Sequence, residues 1–260
     1  MRWPAAPLTP VTAVLGRGAR AGKVPTPGIG SDSSVCADII KMNAYTPVRG
    51  DLVAPSASGT AVSLRLGDRV TGDVVTGGGA VTGLDAGVYI GGRVDTSGSA
   101  AQLLQCAAAA CWLERKQAEL AALPVTPGFV LGPIRVGRAT KELSLPSGDV
   151  VIDVPRIRLA GYATLRFVGD GSTRAVVRLE RLSVNRDSHI QVVGMEPEQI
   201  VFVVRRSAGV GAYASVSGSI LAQGRVRVGR GSRIDGGIFA GGRISVDAYA
   251  SVNPHLFVGW

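Results

Sequence analysis

The last sixty residues of this chain repeat with a step of 18. Val210-Gly-Ala-Tyr-Ala-Ser-Val216 aligns with Val228-Gly-Arg-Gly-Ser-Arg-Ile234 and with Val246-Asp-Ala-Tyr-Ala-Ser-Val252. One register then yields four aliphatic columns: Phe202, Ile220 and Ile238; Ala208, Val226 and Ile244; Val210, Val228 and Val246; and Val216, Ile234 and Val252. A short fixed period with aliphatic columns specifies one repeat per coil of a β-solenoid, with coils stacked about 4.8 Å apart. No coil can hide its own apolar face, so the stack is stable only as a set. Composition agrees: 36 of 260 residues are Gly, 46% are hydrophobic and only 5% are aromatic. Such a chain is too aliphatic to be disordered, lacks the strict Gly period of collagen and is not a coiled coil.

One strand per coil is apolar on both sides: Val201 to Val204, Ile220 to Ala222, and Ile238 to Ala240. Strand alternation sends Phe202, Ile220 and Ile238 one way and Val203, Leu221 and Phe239 the other. The second column needs a cover. Residues 98–122 carry the one strong helix signal, rich in Ala, Leu, Gln, Glu and Lys, with Ser97 or Ser99 to cap it and Pro124 to stop it. The expected fold is therefore mainly β, a β-solenoid (β-helix) with one long α-helix packed alongside.

Residues 1–35, rich in Pro, Gly and Ser, read as a flexible or extended N-terminal segment, and 36–260 as a single solenoid domain. Between 36 and 96, Leu66 and Leu84 lie 18 apart, as do Val70 and Val88, which extends the same step into this region. Leu165 to Val168 and Ala175 to Leu179 flank Gly169-Asp-Gly-Ser-Thr173, which reads as a hairpin closed by an Asp-Gly turn. A phosphate loop there would need a Lys and a following helix, and neither is present.

The net charge is +9, with 24 Arg against 4 Lys. In the C-terminal coils the outward columns carry Ser207, Arg225 and Arg243, and Gly209, Arg227 and Ser245. Arg225, Arg227 and Arg243 are the candidate exposed basic face. The basic residues form no run of five, so the expected partners are an anionic surface polymer or another protein, with self-association, rather than a specific nucleic acid. No segment reaches 18 apolar residues, so no membrane span is expected, and residues 1–30 contain no apolar stretch suited to a secretory signal.

The three cysteines are Cys36, Cys106 and Cys111, without a C-x-x-C spacing. Cys106 and Cys111 would point about 140° apart on a helix, too divergent to bridge each other. A disulfide from Cys36 to either one and three small buried thiols are both consistent with this. Catalysis finds little to work with. His189 and His255 are isolated, Glu196 and Glu198 bracket Pro197 in a loop, and Asp235 sits in an Ile-Asp-Gly-Gly corner. No catalytic residue, metal ligand or cofactor is expected.

The Gly-rich lead from Thr71-Gly-Asp-Val74 to Val94, the helix, and Ser217-Gly-Ser-Ile-Leu-Ala222 followed by Ile234-Asp-Gly-Gly-Ile238-Phe-Ala resemble a known arrangement. It is the discontinuous β-solenoid shared by bacterial ice-binding-like domains and choice-of-anchor A surface domains. The resemblance implies a non-enzymatic structural or adhesion module at the cell surface or outside the cell. Ice binding is the alternative it implies, and a filament-forming scaffold like the bactofilins is a third. Ice-binding relatives meet ice through a flat face of Thr and small residues, and this chain has no Thr after Thr173.

Overall fold

A computed structural model describes residues 14–15, 19–21, 35–36, 40–42, 47–48, 51–84, 87–99, 114–241, 244–247 and 250–253. Every pairing between its strands is parallel, as expected when each coil lies on the next. The strands form the three faces of a solenoid. Two aliphatic columns of one face are stacked as the repeat requires: Phe202 on Ile220 on Ile238, and Val203 on Leu221 on Phe239. Ala208, Val226 and Ile244 stack on a second face, and Val216, Ile234 and Val252 on a third. The inward columns meet in one core, where the Phe167 and Phe202 rings pack edge to face with centroids 5.8 Å apart.

The order of coils in the stack is not the order in the sequence. Val14–Leu15 lies between Ile238–Ala240 and Val35–Cys36, and Ala19–Ala21 lies between Ile244–Val246 and Ile40–Met42. The first strands thus sit on the last coil. From there the chain climbs through Leu52–Ala54 and Val74–Thr76 to Val94–Asp95. It resumes at the opposite end with Ile134–Val136, and its coils then rise back to the first strands. Residues 114–122 are α-helical and lead into that far end; 100–113 lie outside the described residues.

The first face is apolar on both sides, as the doubled pattern requires. Val151, Val176, Val203, Leu221 and Phe239 are all buried although they point away from the core cluster. Leu120 of the helix is buried too. The helix end is fixed to this face by Arg178. Its guanidinium holds Asp153 through two nitrogens, at 2.6 and 2.9 Å, and its third nitrogen donates to the carbonyls of Ala121 and Leu123, each at 2.7 Å. Carbonyls at a helix C-terminus lack intrahelical donors and sit at the negative end of the dipole, so a cation there meets both needs.

The coil step varies. It is 18 residues between Val201 and Ser219, 25 between Thr164 and His189, and 20 between Val74 and Val94. Two expectations are corrected by this. Val70 pairs with Ile90 rather than Val88, because the corners of these coils are longer by two residues. The segment 165–179 is no hairpin. Thr164–Val168 pairs with Thr140–Ser144 and His189–Val193, and the Asp-Gly turn is a coil corner. The same turn chemistry closes a corner or a hairpin, and only the partner strand decides which. Tight corners rely on glycine where layers nearly touch. Gly236 has φ of +151°, and a Cβ there would lie 2.3 Å from the Gly218 carbonyl oxygen one coil away.

Two changes test this packing. Ile220→Arg places an unpaired charge between Phe202 and Ile238, and its melting temperature should fall far below the parent's, while outward-facing Arg227→Ser should melt with the parent. Equal melting of Ile220→Arg and the parent would refute the buried stack. Arg178→Ala should lose about 2 kcal/mol or more in denaturant unfolding. Arg178→Lys should recover only part of that, since an ammonium cannot reproduce the planar fork.

Candidate functional site

With the outward side of the first face buried and the helix end anchored to it, the other two faces are open and could meet a ligand. The third comprises Thr140–Ser144, Thr164–Val168, His189–Val193, Ser215–Ser217, Arg233–Asp235 and Ser251–Asn253 in one ladder. Its outward positions form columns: Thr140, Thr164, His189 and Ser215 in one, and Glu142, Arg166, Gln191 in the next. These side chains bind each other along the ladder. Arg166 donates to Glu142 and to Gln191, each at 3.2 Å, and His189 Nδ1 lies 2.8 Å from Ser215 Oγ. Thr164, Arg166, Val168, His189 and Gln191 are accordingly half-buried. Side chains tied laterally make a level surface.

The face ends at the Asp170 corner. Ser147 and Ser172 hydroxyls donate to its carboxylate, and the Ser172 amide adds a further bond at 2.9 Å. The Ser147 bond, followed by those from Ser172 and Thr173, holds the Asp170 carboxyl well below the ordinary carboxylate range. Those bonds favour the charged carboxylate at neutral pH.

The second face is chemically different. Arg225 and Arg227 alternate with buried Val226 and Val228 and point outward, as the strand alternation requires. The register brings further arginines into the same columns. Arg156 and Arg181 align with Ser207 and Arg225, and Arg135 and Arg158 align with Ser183, Gly209 and Arg227. Arg243 lies outside the described residues, as do Cys106 and Cys111; Cys36 is on a strand paired with Leu15 and Val53. Sequence reasoning missed Arg135, Arg156, Arg158 and Arg181. A signal was there: Arg156-Ile-Arg-Leu159 has the same alternation as Arg225-Val-Arg-Val228.

Of the groups weighed for catalysis, His255 lies outside the described residues, and others have structural partners. Glu196 and Gln199 close a capping box on the turn Pro197–Gln199. Asp235 pairs with Arg233 at 2.9 Å, and Asp247 with Arg227 at 3.4 Å. Among the described residues no group of three His, Cys, Asp or Glu side chains could hold a metal ion. No described helix is long and apolar enough to cross a membrane.

No family model matches the sequence, and no curated protein matches it. Solved structures do. A glycosylated ice-binding protein from an Arctic yeast is 19% identical, with a TM-score of 0.54, over 96% of this chain and 92% of that one. A second structure of an ice-binding protein from Arctic yeast, described for its antifreeze activity, is 18% identical with a TM-score of 0.53 over the same shares. The fold is an ice-binding-like β-solenoid. At this identity the likeness defines the fold, and it matches the arrangement expected from the coil repeat and helix.

Proposed function

We propose that the protein is a non-enzymatic solenoid that binds ice through its third face. The observation that carries the reading is the ladder on that face, where Arg166, His189 and Gln191 are tied sideways to their register neighbours and Thr164 beside them is half-buried. Thr140 and Thr164 stand directly opposite each other there, one rung apart. Because Thr gives way to His189, Ser215 and Arg233 further along the column, the activity should be modest.

The fold neighbours support this alternative better than the adhesion module that the sequence resemblance placed first, since both are ice-binding proteins. Action outside the cell fits the same reading.

Ice growth in the presence of micromolar protein tests it. The parent should shape ice crystals and open a small freezing-point gap. Thr164→Tyr, which raises a ring above the level ladder, should abolish both, while Arg227→Ser on the second face should leave both intact. A parent that leaves ice growth unaltered would overturn the reading and return adhesion to first place.

A further inference from the structure

Several arginines elsewhere in this solenoid meet carboxylates one rung away. Arg174 faces Asp149 and binds it at 2.6 Å, Arg178 faces Asp153 at 2.6 Å, and Arg166 faces Glu142 at 3.2 Å. On the second face arginines instead meet arginines. Arg135 lies directly opposite Arg158, and Arg156 directly opposite Arg181. Like charges on facing positions of neighbouring strands destabilise a sheet. Among the described residues, Arg156, Arg158, Arg181 and Arg225 have no carboxylate in ion-pair range. Four unpaired guanidinium groups on one sheet face can be met by an anion that the described residues do not supply.

The relief of the face gives that anion a place. Ser183, Ser207 and Gly209 form a low floor across the middle, and the arginines rise on either side. Arg156, Arg158 and Arg181 wall it below; Arg225 and Arg227 wall it above. The resulting trough is open to solvent, with a volume of about 660 Å³, and among its described lining residues the acid is Asp247, held by Arg227. A second depression of about 450 Å³ adjoins it, lined by Arg135, Arg156, Arg181 and Arg206, with Glu180 as its one acid. The two depressions share Arg156 and Arg181, so the basic surface is continuous and longer than a single small anion needs. On the other side of the trough the register carries on through Arg20 to Lys41.

We propose that this face is a binding track for a linear acidic polysaccharide. Guanidinium groups bind carboxylate and sulfate groups through two parallel hydrogen bonds, and the rungs repeat about every 4.8 Å, so anionic groups spaced along one polymer can meet the arginines on either side of the floor. A nucleic acid fits less well. No aromatic side chain lines either depression to stack on a base, and the face is a broad sheet with no helix or ribbon to enter a groove. The inference stands apart from ice binding: it uses another face and another ligand, so either can fail alone.

Calorimetric titration at room temperature with heparin, polygalacturonate, neutral dextran and a short DNA duplex tests it. Heparin and polygalacturonate should bind, more weakly as salt rises, and dextran should not. Arg158→Ser/Arg227→Ser should lower both affinities by about tenfold or more. Arg115→Ser/Arg138→Ser, which removes equal charge from exposed positions off this face, should lower them by less than about twofold. The two double variants should melt like the parent, which separates lost binding from lost fold. Absence of binding by the parent, equal losses in the two double variants, or tighter binding of the DNA duplex at the same salt would each overturn the proposal.

Discussion

Rung-on-rung stacking of parallel strands holds everything else in place. Each aliphatic residue of the core packs on its counterpart in the coil above and below, as Ile220 does between Phe202 and Ile238. Burying one such side chain contributes roughly 1.5–3 kcal/mol, but only while both neighbouring coils are present. The chain therefore cannot leave a coil end bare in the middle of the stack. Its first strands close that gap: Leu15 pairs with Phe239 and Arg20 with Ser245, joining the coils that precede the helix to those that follow it. A discontinuous chain thereby makes a continuous stack, and the helix is the connection that such a crossing requires.

Function follows from what each face does with its outward column. On the first face that column is apolar and buried, and Arg178 anchors the helix end there through Asp153 and two helix carbonyls. On the third face several outward side chains bind one another along the ladder, which holds them close to the sheet. On the second face they repel one another, which leaves a surface that an anion would relax. One backbone repeat thus offers two open surfaces of different chemistry.

The parts of this arrangement legible in the sequence are those where the coil step is constant. From residue 200 onward the corners are short, and the columns of Phe202, Val210 and Val216 could be read directly. The doubled apolar strand, Ile220-Leu221 and Ile238-Phe239, likewise announced a covered face and pointed to the helix. Between Thr164 and Ile200 the step lengthens to 25, because loops such as Glu196 to Gln199 expand the corners and the strand Arg174–Val184 turns a corner without ending. No simple period aligns Arg135, Arg156 and Arg181 with Arg225, so half of the basic face stayed hidden. The pairing of Leu15 with Phe239 was hidden for a different reason: residues 224 apart in the chain share no local pattern, and only the need to cover a coil end brings them together.

The central claim is that the outward column of the first face is buried while that of the second is open. Thiol labelling under native conditions tests it most directly, with single cysteines placed at Leu221→Cys and at Arg227→Cys in a chain whose three natural cysteines are replaced by Ser. The thiol at 227 should react as fast as in denaturant, and the thiol at 221 should be protected until the protein unfolds. Equal, rapid labelling at both positions would contradict the covered face and, with it, the division of faces on which the functional reading rests.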